Sequence, residues 1–182
     1  MIPLKLNLDL SKQIMLDMEE HDEYIQMKDC YKNTFKAISF LNYSSDYNAN
    51  HFKIAYGFVD KKIGNERLYF RHAFIICTEE NSVVDVTSCL WSETETEYLD
   101  YDYYIFKEYL DIDEYTDALF RESGVVSLNS ETKIEEVNLV NKLTKKNLTY
   151  NPFDFLDLMR EVYGNKYLEG MKKYEKEKVI CI

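Results

Sequence analysis

Residues 71–87 read RHAFIICTEENSVVDVT, and this stretch predicts a β-hairpin. Two apolar, β-branched runs flank a short polar loop at residues 78–81, which is the pattern of two strands joined by a short connection. A loop of even length pairs Cys77 with Ser82 across the two strands. This register decides which side chains of the hairpin meet.

Two residues of the hairpin, His72 and Asp85, are not explained by hydrophobic patterning. Residues two apart in a strand share a face, so the predicted register places both side chains on one face, roughly one diagonal step apart. Side chains at that spacing can form a hydrogen bond. An imidazole held by a carboxylate supplies two members of a nucleophilic triad, and the third is a thiol or a hydroxyl.

The best candidate for the nucleophile is Cys30. It begins the run CYKNTFKAISFLNY, residues 30–43, in which apolar side chains recur at helical intervals. Asp29 is a reasonable N-cap, so Cys30 is expected in the first helical turn, where the helix dipole and free N–H groups favour a thiolate. The simpler alternative is that Cys30 is a small buried hydrophobe, as most free cysteines are. The other cysteines lack such a context: Cys77, Cys89 and Cys181.

The rest of the chain predicts an α+β domain, in which the Cys30 helix packs on an antiparallel sheet of about four strands. The strands are expected as a meander over residues 52–59, 68–77, 82–87 and 101–109. Helices are expected over residues 11–27, 30–43, 111–123, 131–143 and 152–174. Residues 1–10 alternate apolar and polar side chains and indicate an edge strand or an extended arm.

Three local features add detail to this fold. Ser11 is a plausible N-cap of the first helix. Gly57 lies inside a predicted strand and indicates a bulge or a close approach of another backbone. Three residues of the helix 111–123 are expected to face inward: Tyr115, Leu119 and Phe120.

Composition limits the classes of function. The chain has 182 residues, 46% hydrophobic and 30% charged, which indicates a globular protein with a real core. Its formal net charge is −11, and acidic proteins are repelled by phosphate backbones, so nucleic-acid binding by charge attraction is disfavoured. The acidity serves solubility or, in the acidic run 93–117, docking onto a basic partner.

The termini and the cysteines indicate a reducing compartment. The N-terminus MIPLKLNLDL has no apolar core of signal-peptide length, and no run approaches the ~18 apolar residues of a membrane span. The sequence has no CxxC pair, which argues against a structural zinc site. We therefore expect a cytoplasmic protein with reduced thiols, no membrane association, no metal and no cofactor.

Four short motifs resemble those of the transglutaminase-like branch of the papain-fold thiol enzymes. They are CYKN in a helix, YGFV in a strand, RHAF in the next strand and VVDVT in the one after. The resemblance covers about residues 28–110 and implies that Cys30, His72 and Asp85 form the catalytic triad. Phe74 stands where the family has Trp, and Val86 precedes Thr87 where the family has Pro.

The resemblance also implies a domain organisation. We expect residues 1–124 to form a transglutaminase-like domain and residues 125–182 to form a helical extension packed on it. The superfamily includes transglutaminases, peptidases, deamidases and inactive relatives, so the fold by itself does not select the reaction.

Acyl chemistry at Cys30 needs hydrogen-bond donors for an oxyanion. The Cys30 N–H is the default donor, and the side-chain amides of Gln26 and Asn33 are candidates, although such residues are more often surface polar groups. Tyr56 and Trp91 are candidates for lining a substrate groove, and core packing is the simpler role for both.

The two remaining histidines rank below His72. His51 begins a strand beside a polar loop and is an alternative base, but the sequence offers it no carboxylate at a comparably rigid spacing. His21 lies in a charged segment and is expected to be exposed.

Two functions follow from these residues. The first is a cysteine-dependent acyl transferase or amide hydrolase of the protease, deamidase or transglutaminase type, which uses Cys30, His72 and Asp85 on a protein or peptide substrate. The second is a non-catalytic acidic protein that docks a basic partner or inhibits it. The sequence leaves the oligomeric state open.

Overall fold

The chain forms an α+β fold, as predicted, in a computed structural model. The structure describes residues 2–27, 29–63, 66–90, 101–121 and 130–144. Four predicted features lie outside the described residues: the helix 152–174, Trp91, Cys181 and the domain boundary at residue 124.

Helices and strands alternate in blocks along the chain. The helices are α1 (Leu8–Glu20), α2 (Cys30–Tyr43), α3 (Ile112–Arg121) and α4 (Ser130–Thr144). The strands are β1 (Phe52–Ile63), β2 (Glu66–Cys77), β3 (Ser82–Val84) and β4 (Tyr101–Glu108). Two short 3₁₀ turns, Ala49–His51 and Ser88–Leu90, precede β1 and follow β3.

The four strands form one antiparallel sheet in the order β3-β2-β1-β4. The predicted meander is therefore correct for β1 to β3 and wrong for β4, which pairs with β1 instead of β3. This is the strand order of a Greek key, in which the fourth strand returns to lie beside the first. The chain order of the apolar runs does not distinguish the two topologies.

The hairpin formed by β2 and β3 has the predicted register, with Cys77 opposite Ser82. Its second strand is shorter than predicted, because β3 ends at Val84 and not at Thr87. The carboxylate of Asp85 accepts hydrogen bonds from the backbone N–H groups of Thr87 and Ser88. An aspartate that captures the N–H groups two and three residues on turns the chain away from a strand.

Gly57 in β1 has the close backbone approach that its position predicts. The register between β1 and β4 shifts between Tyr56 and Gly57, which marks a bulge. A Cβ at Gly57 would lie 2.0 Å from the carbonyl oxygen of Tyr104, so only glycine fits at this point of the sheet.

Apolar side chains cover both faces of the sheet. The face under α1 and α2 carries Ile54, Tyr56, Ala73, Ile75, Cys77 and Val84. The other face carries Ala55, Val59, Phe74, Ile76, Val83 and Tyr103. Because neighbouring residues of a strand point to opposite faces, His72 lies on the same face as Phe74, and the two rings stack at 6.5 Å.

Residues 2–7 form the extended arm that the alternating N-terminus indicated. Backbone hydrogen bonds join Leu4 to Tyr103 of β4, and others join Lys5 and Asn7 to Val83 of β3. The arm thus bridges the two edge strands of the sheet. Its leucine side chains pack on the face opposite α2.

Helix α1 begins earlier than predicted. Asn7, not Ser11, is its N-cap, and the Asn7 side chain accepts a hydrogen bond from the Leu10 N–H. Ser11 lies one turn into the helix and is fully buried. Its hydroxyl donates to the Asn7 carbonyl and accepts the N–H of Asp85.

Helix α3 also departs from the prediction. Asp111 caps it by accepting the Glu114 N–H, and Tyr115 and Ala118 are buried. Phe120, which was expected to face inward, is 82% exposed. The apolar spacing at the end of this helix therefore misled the prediction, since a single aromatic residue does not by itself define a buried face.

Helix α4, which belongs to the predicted extension 125–182, packs against β4. Val137 and Leu139 are buried there, and Glu136 forms an ion pair with Arg71 of β2 at 3.1 Å. No helix among the described residues has both the length and the apolar character needed to cross a membrane.

Candidate active site

Cys30 is the first residue of α2, as predicted, and its side chain is half-buried. Asp29 occupies the N-cap position, but its side chain makes no capping hydrogen bond. The first N–H groups of an α-helix have no partner within the helix, and the positive end of the helix dipole lies at the same place. The sulfur of Cys30 is therefore held where local backbone charges favour a thiolate.

His72 and Asp85 form the hydrogen bond that the register predicted. The Nε2 atom of His72 lies 2.8 Å from Oδ2 of Asp85, and both residues are at most 2% exposed. The sulfur of Cys30 is in hydrogen-bond contact with the same imidazole. Because Nε2 is engaged by Asp85, Nδ1 is the ring nitrogen that remains for the thiol.

The early end of β3 explains how a thiol on α2 reaches this ring. The pairing between β2 and β3 begins at Ile75, so the β2 backbone before Ile75 has no β3 partner. The sulfur of Cys30 occupies this edge and accepts a hydrogen bond from the Ala73 N–H. The turn at Asp85 thus both positions the carboxylate and leaves room for the nucleophile.

The Asp85 carboxylate is held by four donors. Oδ2 accepts from His72 and from the hydroxyl of Tyr103 at 2.9 Å, and Oδ1 accepts from the N–H groups of Thr87 and Ser88, each at 3.1 Å. Carboxylates with this many donors stay ionised even when buried. Asp85 is therefore fixed both in charge and in orientation.

Burial and neighbouring charges act against each other at the thiol and the imidazole. Burial opposes ionisation of Cys30, but the adjacent His72 and the Ala73 N–H together hold the pKa of the thiol below its ordinary value. Burial likewise opposes protonation of His72, yet the charges of Asp85 and Cys30 raise its pKa to about 10. Both shifts favour the thiolate–imidazolium form of the pair over the neutral thiol and imidazole.

The charge of His72 acts on Asp85 in the same sense. Burial by itself raises the pKa of a carboxyl group, but the imidazolium, Tyr103 and the Ser88 N–H together bring the pKa of Asp85 below its ordinary value. The contacts thus favour a negative charge on Asp85, a positive charge on His72 and a negative charge on Cys30.

The oxyanion candidates Gln26 and Asn33 lie beside the first turn of α2 but differ in their environment. Asn33 is buried. Its side-chain nitrogen donates to the backbone carbonyl of Gln26 at 2.6 Å and to the side-chain hydroxyl of Thr87 at 3.1 Å. Its amide oxygen accepts the Gln26 N–H at 3.0 Å. Both N–H hydrogens of the Asn33 side chain are therefore used, whereas the Gln26 side chain is exposed.

This use of Asn33 joins three segments of the site. The segment before α2, the α2 helix itself and the turn after Asp85 meet at one buried amide. Asn33 lies one turn after Cys30, so the amide holds the nucleophile helix against the residues that follow Asp85.

Tyr56 is 1% exposed and lies in the core beside the site, not in a groove. Its hydroxyl is 2.7 Å from that of Tyr115, and its ring makes edge contacts with Tyr31, Tyr109 and Tyr115. The simpler of the two predicted roles, core packing, is the one that this environment supports. Trp91, the other groove candidate, lies outside the described residues.

The other histidines do not reach Cys30 in any contact of the described residues. His51 has a carboxylate after all, because its Nδ1 lies 2.9 Å from Glu79, while Asn48 contacts its other ring nitrogen. Glu79 lies in the loop after β2 and its side chain is 68% exposed, so this carboxylate is not held as rigidly as Asp85. His21 is exposed, as expected, and its ring packs on Phe40.

Sequence reasoning missed Tyr103, Ser11 and Tyr115. Tyr103 donates to the Asp85 carboxylate, Ser11 holds the Asp85 backbone and Tyr115 bonds to Tyr56. Each contact joins residues far apart in the chain, and two of them depend on the unpredicted placement of β4 and of the N-terminal arm. The one local signal was the alternation of tyrosines in 101–109, which marks a buried strand face but no specific partner.

Within the described parts of the chain, no group of three or more His, Cys, Asp or Glu side chains is arranged to hold a metal ion. No family model matches the chain, and neither does any curated protein or solved structure with which it was compared. The resemblance to the transglutaminase-like enzymes therefore stays a prediction from four motifs, and the case for function rests on the geometry around Cys30.

Proposed function

We propose that this chain is a cysteine-dependent acyl transferase or amide hydrolase of the transglutaminase-like type, with Cys30 as nucleophile, His72 as general acid and base, and Asp85 as the group that orients the imidazole. The observation that carries the proposal is the chain of contacts from Asp85 through His72 to Cys30, buried at the edge of a rigid sheet. A surface ion pair would not support the same inference, since such pairs are common and weakly held.

Each residue has a defined step in the reaction. The Cys30 thiolate attacks an amide carbonyl carbon, a C–S bond forms, and the carbonyl electron pair moves to oxygen. When this intermediate collapses, the C–N bond breaks, and the His72 imidazolium gives its proton to the departing amine. The resulting thioester is then attacked by water or by a second amine, which gives up a proton to His72 as Cys30 leaves as a thiolate.

The substrate class follows from the same chemistry. A thiolate–imidazolium pair attacks carbonyl carbon, so we propose a protein or peptide amide as the substrate, either a glutamine side chain or a peptide bond. The proposed reaction needs no metal and no cofactor. A formal net charge of −11 disfavours nucleic-acid substrates, and we place the activity in the cytoplasm, where thiols stay reduced.

The first experiment measures the alkylation of Cys30 by iodoacetamide as a function of pH, with the labelled cysteine identified by mass spectrometry. In the wild type we expect thiolate reactivity well below pH 8.5, because His72 stabilises the thiolate. In His72→Ala, alkylation at pH 6.5 should fall about tenfold or more, since the thiol regains an ordinary or higher pKa.

The matched control is His51→Ala, which removes the other histidine that is paired with a carboxylate. It should leave the alkylation profile of Cys30 unchanged, because His51 does not contact the thiol. A Cys30 that reacts slowly in the wild type, or at the same rate with and without His72, would rule out the proposed function. Near-ultraviolet circular dichroism confirms that each variant keeps its aromatic core.

One observation favours the alternative function, a non-catalytic protein that docks a basic partner. Leu110 is 68% exposed and Phe120 is 82% exposed, beside the exposed carboxylates of Asp111, Asp113 and Asp117. Exposed apolar side chains rimmed by charge are a feature of protein-binding surfaces. A binder of this kind would keep its function in Cys30→Ala and would lose affinity as salt is raised, whereas an enzyme would lose its activity in that variant.

A further inference from the structure

Two donors share one oxygen of the Asp85 carboxylate, and orientation alone does not explain the second. Oδ2 lies 2.8 Å from Nε2 of His72 and accepts the Tyr103 hydroxyl at 2.9 Å. The carboxylate is oriented without Tyr103, because Oδ1 accepts the N–H groups of Thr87 and Ser88. What Tyr103 adds is a hydrogen bond to the oxygen that faces the imidazole.

Tyr103 is held in β4 independently of this bond. It is buried, and its ring packs edge-on against Phe74 of β2 at 5.0 Å. Its backbone N–H and carbonyl both pair with Leu4 of the N-terminal arm, each at 3.0 Å. The hydroxyl is therefore presented to Asp85 by a fixed part of the sheet and not by a mobile surface side chain.

The Tyr103 hydroxyl is the donor of this bond, because an ionised carboxylate can only accept. Burial and the charge of Asp85 hold the pKa of Tyr103 well above its ordinary value, so the hydroxyl keeps its proton. A donated hydrogen bond stabilises the charged form of a carboxyl group. Burial raises the pKa of Asp85, and the Tyr103 bond is one of the contacts that bring it back below its ordinary value. Tyr103 thus offsets part of the negative potential that Oδ2 presents to His72.

This partial offset matters at the step in which His72 gives up a proton. Because Nε2 is held by Asp85, the proton for the leaving group comes from Nδ1, the ring nitrogen on the side of Cys30. Loss of that proton turns the imidazolium into a neutral ring, and negative charge at Oδ2 stabilises the imidazolium more than the neutral ring. A carboxylate with its full charge directed at His72 would therefore make the ring a weak proton donor.

We propose that Tyr103 is a positioning residue that acts through Asp85: by sharing Oδ2 with His72, its hydroxyl weakens the hold of the carboxylate on the imidazolium, so that His72 releases its Nδ1 proton to the leaving group. This assignment rests on the proposed function of Cys30. When the tetrahedral intermediate collapses, the electron pair on its oxygen re-forms the carbonyl, and the bond from carbon to the leaving atom breaks. The leaving atom takes the electron pair of that bond and the proton from Nδ1, while Asp85 and Tyr103 neither gain nor lose a proton.

Two acetate esters with different leaving groups separate this role from a structural one. The p-nitrophenolate group leaves readily as an anion, whereas the more basic phenolate depends on a proton as it departs. In Tyr103→Phe we expect acetylation of Cys30 by phenyl acetate to slow about tenfold, a part of the roughly 10²–10⁴-fold that proton transfer contributes. Acetylation by p-nitrophenyl acetate and alkylation by iodoacetamide should stay within about twofold of the wild type, because the thiolate keeps its imidazolium partner. Mass spectrometry identifies the modified cysteine.

The matched control is Tyr47→Phe. The Tyr47 hydroxyl donates to the carboxylate of Asp17 on α1, so this variant loses the same kind of bond at a carboxylate outside the pair of Asp85 and His72. It should change none of the three rates. Tyr103→Met fills the same space without a donor and should reproduce the selective loss with phenyl acetate, so it provides a second test if Tyr103→Phe does not fold.

The outcomes distinguish this assignment from the proposed function. The role of Tyr103 is overturned if the two acetates lose rate equally, or if neither loses rate, while Cys30 still reacts with iodoacetamide. A wild-type Cys30 that is inert toward all three reagents would overturn the proposed function and this assignment with it.

Discussion

Two half-buried thiols, Cys30 and Cys89, both lie in the field of the Asp85 carboxylate, yet their ionisation shifts in opposite directions. Burial raises the pKa of Cys89 to about 12, and the charge of Asp85 contributes to the rise. Burial and Asp85 also oppose ionisation of Cys30, but His72 and the Ala73 N–H outweigh them and lower its pKa. The difference between the two thiols therefore comes from His72 and the Ala73 N–H, which favour the thiolate of Cys30.

The local backbone reinforces the difference. Cys30 begins a fourteen-residue helix, where the backbone presents N–H groups. Cys89 lies in a three-residue 3₁₀ turn, and its thiol donates to the carbonyl oxygen of Asp85 at 3.6 Å. One sulfur thus faces donors and the other faces an acceptor, which favours the thiolate in the first case and the neutral thiol in the second.

Removing the charge of Asp85 should make the reactivities of the two thiols more similar, and this is the largest effect that we expect. In Asp85→Asn the His72 imidazolium loses its counter-ion, so acyl transfer by Cys30 should fall by about three to four orders of magnitude. Its alkylation at pH 7 should also slow, whereas alkylation of Cys89 should become faster because a negative charge nearby is gone. Labelling of both thiols, resolved by mass spectrometry, measures the two changes in one sample.

The control for this variant is Asp102→Asn. Asp102 lies on β4 next to Tyr103, and its carboxylate accepts a hydrogen bond from Lys5. It should leave the reactivities of both thiols close to those of the wild type. Unchanged rates at both thiols in Asp85→Asn would contradict the role given to Asp85 here.

The pH dependence of the alkylation rate should distinguish Cys30 from Cys89. We expect the alkylation rate of Cys30 to reach its plateau at a lower pH than that of an ordinary thiol, because its pKa is lowered. Alkylation of Cys89 should stay negligible up to pH 9, where only about one Cys89 thiol in a thousand is ionised. Acyl transfer by Cys30 should decline near pH 10, where His72 loses the proton that the leaving group needs.

The same titration has a consequence for stability, and its sign is fixed by the direction of the shift. The pKa of His72 rises from 6.5 to about 10 on folding, so its protonation stabilises the folded state fully below pH 6.5, and this contribution is lost as the pH rises through about 10. Urea unfolding of the wild type and of His72→Gln should therefore give free energies that converge between pH 7 and pH 10. A constant difference across that range would show that the imidazole is not held as a cation.

The smallest effect on Cys30 reactivity is expected from Asn33, which helps to position the helix of Cys30 but is not among the groups that favour its thiolate. Asn33→Ala leaves the Gln26 and Thr87 groups without their buried partner, so the free energy of unfolding should fall by about 1–3 kcal/mol, and Cys30 alkylation should change only a few-fold. Asn42→Ala is the matched control, because it removes an exposed amide of the same helix that donates to the Ile38 backbone carbonyl one turn earlier. Its effect on unfolding should lie within about 0.5 kcal/mol, as for most surface substitutions. Equal losses in the two variants would contradict the linking role of Asn33.

The sequence predicted those parts of the site that depend on local geometry. The period of two in a strand, combined with the Cys77–Ser82 register, predicts His72 and Asp85 on one face, roughly one diagonal step apart. Helical spacing and the N-cap preference of aspartate placed Cys30 in the first turn of α2. Cys30 is the first residue of α2, and the contact between His72 and Asp85 forms, although β3 ends at Val84 and Asp85 lies in the turn that follows it.

The parts that were missed depend on contacts between distant segments. Tyr103 reaches Asp85 because β4 pairs with β1 and not with β3, and hydrophobic alternation does not encode strand order. Ser11 has the residue type of an N-cap, but Asn7 takes that position because the arm before it is held against β3. Phe120 follows a helical spacing and is nonetheless exposed, since the spacing does not show whether anything packs on that face.

The N-terminal arm has a consequence for how this protein behaves in a crowded solution. A sheet edge that offers free N–H and C=O groups can pair with another copy of the chain and start aggregation. Here the arm binds Tyr103 on one edge strand and Val83 on the other, so both edges are occupied by the chain itself at these points. The arm, residues 2–7, also leads into α1, whose Ser11 holds the turn at Asp85. The arm therefore both supports the site and protects the fold against edge-to-edge association.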